Sequence, residues 1–412
     1  MTVNVLNYLK NRGYFFQCTD EKTLNSLLDN KKIHFYIGFD CTAPSLHVGS
    51  LLQIMCLRYL QKLGHTPIVL LGGGTTLIGD PSGKEESRKI LTKEEIEKNV
   101  DSIKKVFSNF LSNKGSNKVI YVNNHNWLKK LNYIDFLRDY GKYFTINKML
   151  TFDSVKLRLE REQSLSFLEF NYMIFQAYDY MKLYENYDCK LQIGGSDQWG
   201  NIINGIELVR RSKSKEVYGL TTPLITNASG SKMGKSEDGA IWLDANLLSP
   251  FNYWQFWRNT DDKDVIRYLK LFTEMKDDEI EKLSKLDGSQ INEAKIILAN
   301  EATKMLHGEV ASKNAMETSK KTFEEKSFDK NLPTLEIKKN KLKVGLSLKD
   351  TLIKIGYATS NSDFKRNFKN AAYKINNKNV DNENQLLSLD DLDKDIIKIS
   401  FGKKKHYLIK VI

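Results

Sequence analysis

The sequence predicts an α/β chain in three parts: a parallel sheet, a helical stretch and a small mixed α+β module. Three observations carry this. Strand-like and helix-like segments alternate over residues 1 to about 225. Polar, charged helical periodicity then runs to about 325 with little strand signal. Short mixed segments resume from Val344 to Ile412. At 412 residues the chain is long enough for two or three domains, each with its own core.

The first elements set the topology. Phe35-Tyr36-Ile37-Gly38-Phe39-Asp40 reads as a strand ending in a turn. Between His47 and Leu63 apolar residues recur at helical spacing (Leu51, Leu52, Met55, Leu60, Leu63), and Gly64 follows as a C-cap. Pro67-Ile68-Val69-Leu70-Leu71 is a buried-strand pattern running into Gly72-Gly73-Gly74. Strand, helix and strand in that order make a parallel pair, the kind of sheet that binds nucleotides at its strand ends. Lys190-Leu191-Gln192-Ile193 is a further short strand, leading into Gly194-Gly195-Ser196-Asp197-Gln198-Trp199-Gly200-Asn201. Residues 326–343, around Leu332-Pro333-Thr334, read as a linker.

Bulk properties narrow the setting. No apolar run approaches the ~18 residues a membrane helix needs. Met1 to Phe16 lacks the apolar stretch of a secretory signal. Cys18, Cys41, Cys56 and Cys189 are scattered with no C-x-x-C pair, so reduced thiols and a cytoplasmic setting are expected. The net charge of +12 favours a polyanionic partner. From Lys341 onward, fifteen Lys and Arg face eight Asp and Glu, so most of that excess sits in the last sixth of the chain.

Four segments carry chemistry. Tyr36 to Ser50 ends a strand, turns and starts a helix near Leu46. A helix start offers free N–H groups and a positive dipole end to phosphate. His47 can donate to a phosphate oxygen, and Gly49 leaves room for a flat base or ribose. Gly72 to Arg88 is neither a dinucleotide fingerprint nor a P-loop. Leu77 takes the third glycine position of the first; Gly79 and Gly83 are too close for the second, and Glu85 follows Lys84. What remains is a flexible loop in which Lys84 and Arg88 suit phosphate and Asp80 suits an ammonium group. Gly230 to Ser236 is a mobile basic loop whose Lys232 and Lys235 can close over polyphosphate and stabilise a leaving group. In Gly194 to Asn201, two glycines admit close backbone approach, and Asp197 and Gln198 offer an acceptor and an amide at a sheet edge.

Each pattern alone is common. Together, an H-x-G-x after the first strand and a K-M-x-K-S-type loop far downstream resemble class I aminoacyl-tRNA synthetases. Leu191 to Asn201, preceded by Phe167-Leu168-Glu169-Phe170-Asn171-Tyr172 and Gln176-Ala177-Tyr178-Asp179, is similar to the bacterial-type tyrosyl-tRNA synthetases. The resemblance covers nearly the whole chain. It implies a Rossmann-like catalytic domain over 1–225, with a dimer-forming insert at about 124–165. It implies the basic catalytic loop and a helical anticodon-binding domain over 226–325, and a small C-terminal RNA-binding module over 344–412. It also implies a cytoplasmic homodimer with one tRNA spanning both subunits. The implied reaction joins L-tyrosine to tRNA(Tyr) at the expense of ATP. Mg²⁺ would accompany the nucleotide without a dedicated protein cage.

The implied site follows from the substrates. A phenol both donates and accepts a hydrogen bond. Asp179 would accept its proton and Tyr36 would donate. Such a pair rejects phenylalanine, which leaves both groups unpaired. The resemblance gives the substrate ammonium to Asp80, Tyr172 and Gln176. Tyr172, Gln176 and Asp179 fall at i, i+4 and i+7 and so share a helix face. The resemblance gives the γ-phosphate side to Thr42 and His47, and the pyrophosphate to Lys84, Arg88, Lys232 and Lys235. It gives the ribose to Asp197 and the tyrosine carbonyl and α-phosphate region to Gln198. Asp40 and Gln192 would line the same pocket, and Gly49 and Ser50 its ATP side.

The chain departs from the family pattern in places. Ser50 stands at the second histidine of H-I-G-H, and Ile37 where a ribose-contacting cysteine often sits. Weaker ATP binding there, or compensation nearby, is expected. Cys41 replaces a frequent proline, and K-M-G-K-S keeps both lysines. The last module resembles the small RNA-binding fold of a ribosomal small-subunit protein, with Lys365, Arg366, Lys369 and Lys374 toward phosphates. There Ala371-Ala372 replaces a common glycine pair. Two alternatives remain. A tryptophanyl-tRNA synthetase shares the fold, but an indole needs no Tyr36–Asp179 pair. A catalytically silent paralogue that binds structured RNA should have lost some of His47, Asp197, Lys232 and Lys235.

Overall fold

Six strands build the first sheet: β1 (Gln17–Cys18), β2 (His34–Phe39), β3 (Thr66–Leu71), β4 (Ile120–Asn123), β5 (Cys189–Gly195) and β6 (Tyr218–Thr222). Their spatial order is β1-β6-β5-β2-β3-β4. β2 to β6 run parallel, and β1 lies antiparallel at the edge. The computed structural model describes residues 4–81, 91–228, 230, 233–236, 239–323, 332–393, 395–402 and 405–412, with the backbone alone at 153, 235, 236, 322 and 323.

The sequence of β3 explains the parallel arrangement. Pro67 to Leu71 are all buried, so both faces of the sheet must be covered. Helices Leu51–Lys62 and Phe167–Tyr187 pack against β3 and β5. Chain order runs outward from β2 through β3 to β4 on one side, and from β5 to β6 on the other. The adjacent β2 and β5 are therefore the switch point, where a crevice opens at the strands' carboxyl ends.

The helix expected from His47 begins as a 3-10 turn at Val48–Ser50 and becomes α-helical at Leu51–Lys62, with Gly64 at φ +95° behind it. The Phe167–Tyr187 helix starts with a capping box between Ser166 and Glu169 and ends at a left-handed Asp188. Its Met173, Ala177 and Tyr180 pack with Tyr36, Ile68 and Leu70. The expected insert after β4 is a run of short helices, Tyr133–Asp139 and Asp153–Glu160 among them.

Two expected boundaries move. The helical stretch read as one domain over 226–325 divides, because Thr260–Ala294 belongs to the same unit as the sheet. Arg12, from the Val5–Arg12 helix, supplies a reason. It is only 2% exposed, and its Nη2 donates to Thr273 O and Tyr59 Oη, both at 2.6 Å. Its Nη1 donates to Met275 O at 3.0 Å and Asp277 Oδ1 at 3.1 Å. A buried guanidinium needs such acceptors, and three of the four come from that segment. Arg58 adds an ion pair to Glu274 at 2.6 Å.

The other shift concerns the linker expected over 326–343. Thr334–Ile337 is an edge strand, paired in parallel with Lys405–Val411, so the last module begins near Leu332 and not at Val344. Burial of Ile337 ties this strand to the module's core. Residues 324–331 lie outside those described.

In the second unit Pro250–Arg258 packs against Glu309–Phe323, and Trp254 Nε1 donates to Asn300 Oδ1 at 2.8 Å. The last module's sheet runs Lys378–Asn379, Tyr373–Ile375, Ile396–Phe401, Lys405–Val411, Thr334–Ile337. Leu348, Leu352, Phe364 and Tyr373 pack against its Ile397 and Ile399. Ala371 takes a left-handed φ of 49°, the conformation a glycine adopts without strain. Among the described residues no helix is long and apolar enough to cross a membrane.

Candidate active site

The crevice at the ends of β2 and β5 is a cavity of about 480 Å³. Tyr36, Asp40, Thr42, His47, Gly49, Ser50, Asp80, Tyr172, Gln176, Asp179, Gln192, Asp197 and Gln198 all line it, as does Ile37. These come from segments far apart in sequence. Lys84, Arg88 and Lys232 lie outside the described residues, as does the side chain of Lys235.

Strand register sets the closed end. Tyr36 on β2 pairs with Gln192 on β5. Tyr36 Oη, Gln176 Oε1 and Gln192 Oε1 are buried with no hydrogen-bond partner among the described residues. Asp179, also buried, accepts from Asn124 Nδ2 at 2.9 Å and from Trp127 Nε1 at 2.8 Å. Asn124 Nδ2 also donates to Thr75 Oγ1 at 3.0 Å, and its Oδ1 accepts from Gly74 N at 2.8 Å. Burial pushes the Asp179 carboxyl up to about 7 despite those two donors, and the Asp40 charge adds to the rise. Burial, then the Asp179 charge, holds the Tyr36 phenol well above its ordinary value, so it stays a donor.

Asn124 and Trp127 were not expected here, since both fall in the stretch read as the insert. One signal was present: they follow directly after β4, whose carboxyl end lies on the crevice side of the same sheet.

Further along, Asp40 accepts from Thr75 Oγ1 at 2.8 Å and Tyr172 Oη at 3.2 Å. Asp80 accepts from Gln198 Nε2 at 3.0 Å, and Gln198 Oε1 accepts from Asn201 Nδ2 at 3.0 Å. Gly72 to Gly74, expected to start a flexible loop, instead form a packed turn. A Cβ at Gly72 would stand 2.3 Å from Asp40 Oδ1, and one at Gly73 2.5 Å from Asn123 Oδ1. These glycines make room for an acid and an amide of the protein. Gly194 and Gly195 remain in β5, paired with Thr221 and Thr222.

His47 Nδ1 accepts from Gly49 N at 3.0 Å. That bond leaves the ring proton on Nε2, the nitrogen that can then serve as a donor. The space at Gly49 differs from expectation. A Cβ there would meet His47 Nδ1 and Met233 O, both at 2.8 Å, so the glycine admits the ring and a backbone carbonyl. Gly234, at φ +115°, is equally close to His47: its Cβ would stand 2.6 Å from Nδ1.

In the last module Lys365, Arg366 and Lys369 lie exposed on the Asn361–Lys369 helix, and Lys374 is half-buried on the strand that follows. Arg366 pairs with Asp363 at 2.5 Å and Lys365 with Glu383 at 3.3 Å.

The model of the class I tRNA synthetases for tryptophan and tyrosine matches residues 28–324. The chain therefore belongs to the class I aminoacyl-tRNA synthetases. The tyrosine–tRNA ligase of Pelagibacter ubique is 58% identical over 99% of this chain and 99% of its own length. That of Bartonella quintana is 55% identical over 98% of each. A C-terminally truncated mitochondrial tyrosyl-tRNA synthetase from Aspergillus nidulans matches with a TM-score of 0.69 and 32% identity, over 77% of this chain and 94% of that one. Within the class, the chain belongs to the bacterial-type tyrosyl-tRNA synthetases.

Proposed function

We propose that this pocket activates L-tyrosine with ATP and then transfers it to the 3′ end of tRNA(Tyr). The unpartnered Tyr36 Oη, lining the same pocket as the buried Asp179, carries the reading. A phenol gives the Tyr36 hydroxyl its missing partner: Tyr36 donates to its oxygen, and Asp179, already held by Asn124 and Trp127, accepts its proton as well. Leaving such a buried group unpaired costs about 1–3 kcal/mol, so the pair favours tyrosine over phenylalanine. Asp80, Tyr172 and Gln176 take the ammonium. The unpartnered Gln176 Oε1 supports this, being an acceptor that lacks a donor. Gln192 lines the same end, and Asp40 serves the ATP side of the pocket.

The substrate carboxylate is already ionised at neutral pH, its pKa lying near ~3.5, so no general base is required. Its oxygen attacks the α-phosphorus of ATP, and the bond to the bridging oxygen breaks as pyrophosphate departs. Thr42 and His47 hold the γ-phosphate side, His47 through Nε2. Lys84, Arg88, Lys232 and Lys235 stabilise the departing pyrophosphate. Asp197 binds the ribose, Gly49 and Ser50 flank the nucleotide, and Gln198 orients the tyrosine carbonyl and α-phosphate. Mg²⁺, a hard cation suited to phosphate oxygens, neutralises charge on the leaving group when bound with ATP. We assign the ion to the nucleotide and not to a dedicated protein cage. In the second step a hydroxyl of the tRNA's terminal adenosine attacks the acyl carbon and AMP leaves.

Lys365, Arg366, Lys369 and Lys374 bind tRNA phosphates, and the helical stretch reads the anticodon. Exposed Tyr133, Ile134, Leu137, Leu157, Leu159 and Phe167, in or beside the insert, support a homodimer joined there. The four cysteines form no disulfide, in keeping with a cytoplasmic setting. Amino-acid-dependent ATP–pyrophosphate exchange, run with each of the twenty amino acids and no tRNA, tests the pocket. Exchange with tyrosine alone is expected. Exchange with tryptophan would overturn the roles given to Tyr36 and Asp179.

A further inference from the structure

Cys41 stands where proline is frequent in the family. A proline fixes φ and carries no N–H, so Cys41 brings a rotatable φ and a donor that must be satisfied. The structure answers both. Cys41 N donates to Thr76 Oγ1 at 2.7 Å, and Cys41 O accepts from Asn99 Nδ2 at 2.9 Å. Cys41 is wholly buried, so neither backbone group can turn to water instead. Thr76 follows Thr75, whose Oγ1 donates to Asp40 Oδ1 at 2.8 Å. Two successive threonines after β3 thus hold two successive residues after β2. Asn99 comes from a third element, the helix Lys93–Ser108, where Ile96, Ile103, Val106 and Phe107 share its buried face. Phe107 sets that helix against the end of β2, its ring lying edge-on to Phe39 with centroids 4.9 Å apart. Neither Thr76 nor Asn99 is among the residues that line the cavity. Thr42, which follows the clamped residue, is exposed and lines it.

We propose that Thr76 and Asn99 are positioning residues, which clamp the backbone of Cys41 so that Thr42 meets the phosphates of ATP in one geometry. The proposal rests on assigning Thr42 to the γ-phosphate side. The clamp does for this turn what a proline ring would do by fixing φ. Loss of either bond releases a backbone group of Cys41. Conformers that turn Thr42 away then gain population, by no more than the worth of that bond.

The test is single-turnover formation of tyrosyl-adenylate by the wild type, Asn99→Leu, Thr76→Val, Thr42→Ala, and each of the first two variants combined with Thr42→Ala. Asn99→Leu and the nearly isosteric Thr76→Val should each slow the step roughly five- to tenfold, the worth of one neutral hydrogen bond. KM for tyrosine should hold in both. In the Thr42→Ala background neither change should slow the step further, because the hydroxyl being positioned is gone. A merely structural role would slow both backgrounds alike. Unchanged rates in the two single variants, equal slowing with and without the Thr42 hydroxyl, or a tyrosine KM that rises as much as the rate falls would overturn the proposal. The two variants sit on different elements, so a folding defect in one leaves the other to decide. Absence of tyrosine-dependent turnover in the wild type would overturn the reading of the whole pocket, so the two failures are distinct.

Discussion

Asn124 Nδ2 donates to Asp179 Oδ2 at 2.9 Å, tying the end of β4 to the middle of the Phe167–Tyr187 helix. With Trp127 on the other oxygen, it holds a carboxyl that burial alone would drive further toward its neutral form. Asp179 therefore titrates close to neutrality. In the folded chain it binds a proton more readily than when unfolded. It thus contributes stability below the ordinary carboxylate range, and that contribution is lost as pH rises toward about 7.

A pH dependence of tyrosine use follows. The carboxylate, not the acid, is the better acceptor of the phenolic proton, so kcat/KM for tyrosine should fall as pH drops through about 7. Trp127→Phe removes a bond that favours the charged form, so its midpoint should move up. A pH profile across neutrality in both proteins measures this; a midpoint unmoved or lowered in the variant would break the link.

Tyr36→Phe removes the phenol's donor and leaves the apolar packing. KM for tyrosine should rise about fivefold, the equivalent of ~1 kcal/mol, and discrimination against phenylalanine should narrow. KM for ATP should stay put, and an ATP effect of equal size would count against the assignment. Asp179→Ala should be harsher, raising KM for tyrosine beyond this or abolishing activation.

Lys232→Ala should slow adenylate formation by roughly 2–4 kcal/mol, the loss expected of one group aimed at developing charge. Single-turnover formation of the adenylate reads this directly, and an unaltered rate would exclude the role.

Replacing Lys365, Arg366 and Lys369 together by alanine should raise the tRNA KM and flatten its dependence on salt. Pyrophosphate exchange, which needs no tRNA, should not change. Equal tRNA KM values would move RNA binding away from the Asn361–Lys369 helix.

Ala371→Gly should stabilise the last module, by no more than about 1 kcal/mol. A left-handed alanine costs roughly that much, and the glycine's extra freedom when unfolded offsets part of the gain. A thermal melt decides the sign.

Much of this architecture was legible because its signals are local. β2, β3 and the helix between them declare themselves through unbroken apolar runs and a glycine stop. The i, i+4, i+7 spacing of Tyr172, Gln176 and Asp179 was enough to put three pocket residues on one helix face. Partners set by sheet order were not legible. Asn124 and Trp127 meet Asp179 only through the sheet order, which brings the end of β4 to the helix that leads into β5. Arg12 was likewise silent, since nothing near it in sequence shows that three of its acceptors lie from Thr273 to Asp277. Thr334–Ile337 looked like linker because a short edge strand beside Pro333 carries little pattern of its own.

That attachment of Arg12 to Thr273 has a temporal meaning. The bond spans 261 residues, so while the chain is being synthesised the guanidinium waits for its backbone acceptors. At ~5–20 residues per second the delay is on the order of tens of seconds. Over that interval the Val5–Arg12 helix, too short to persist alone, lacks the Thr273, Met275 and Asp277 acceptors of its cation. An element made well before Thr260–Ala294 is thus among the last to lock. Its docking marks the moment when the sheet and Thr260–Ala294 are both in place, and this helix should remain open to proteases or chaperones until then.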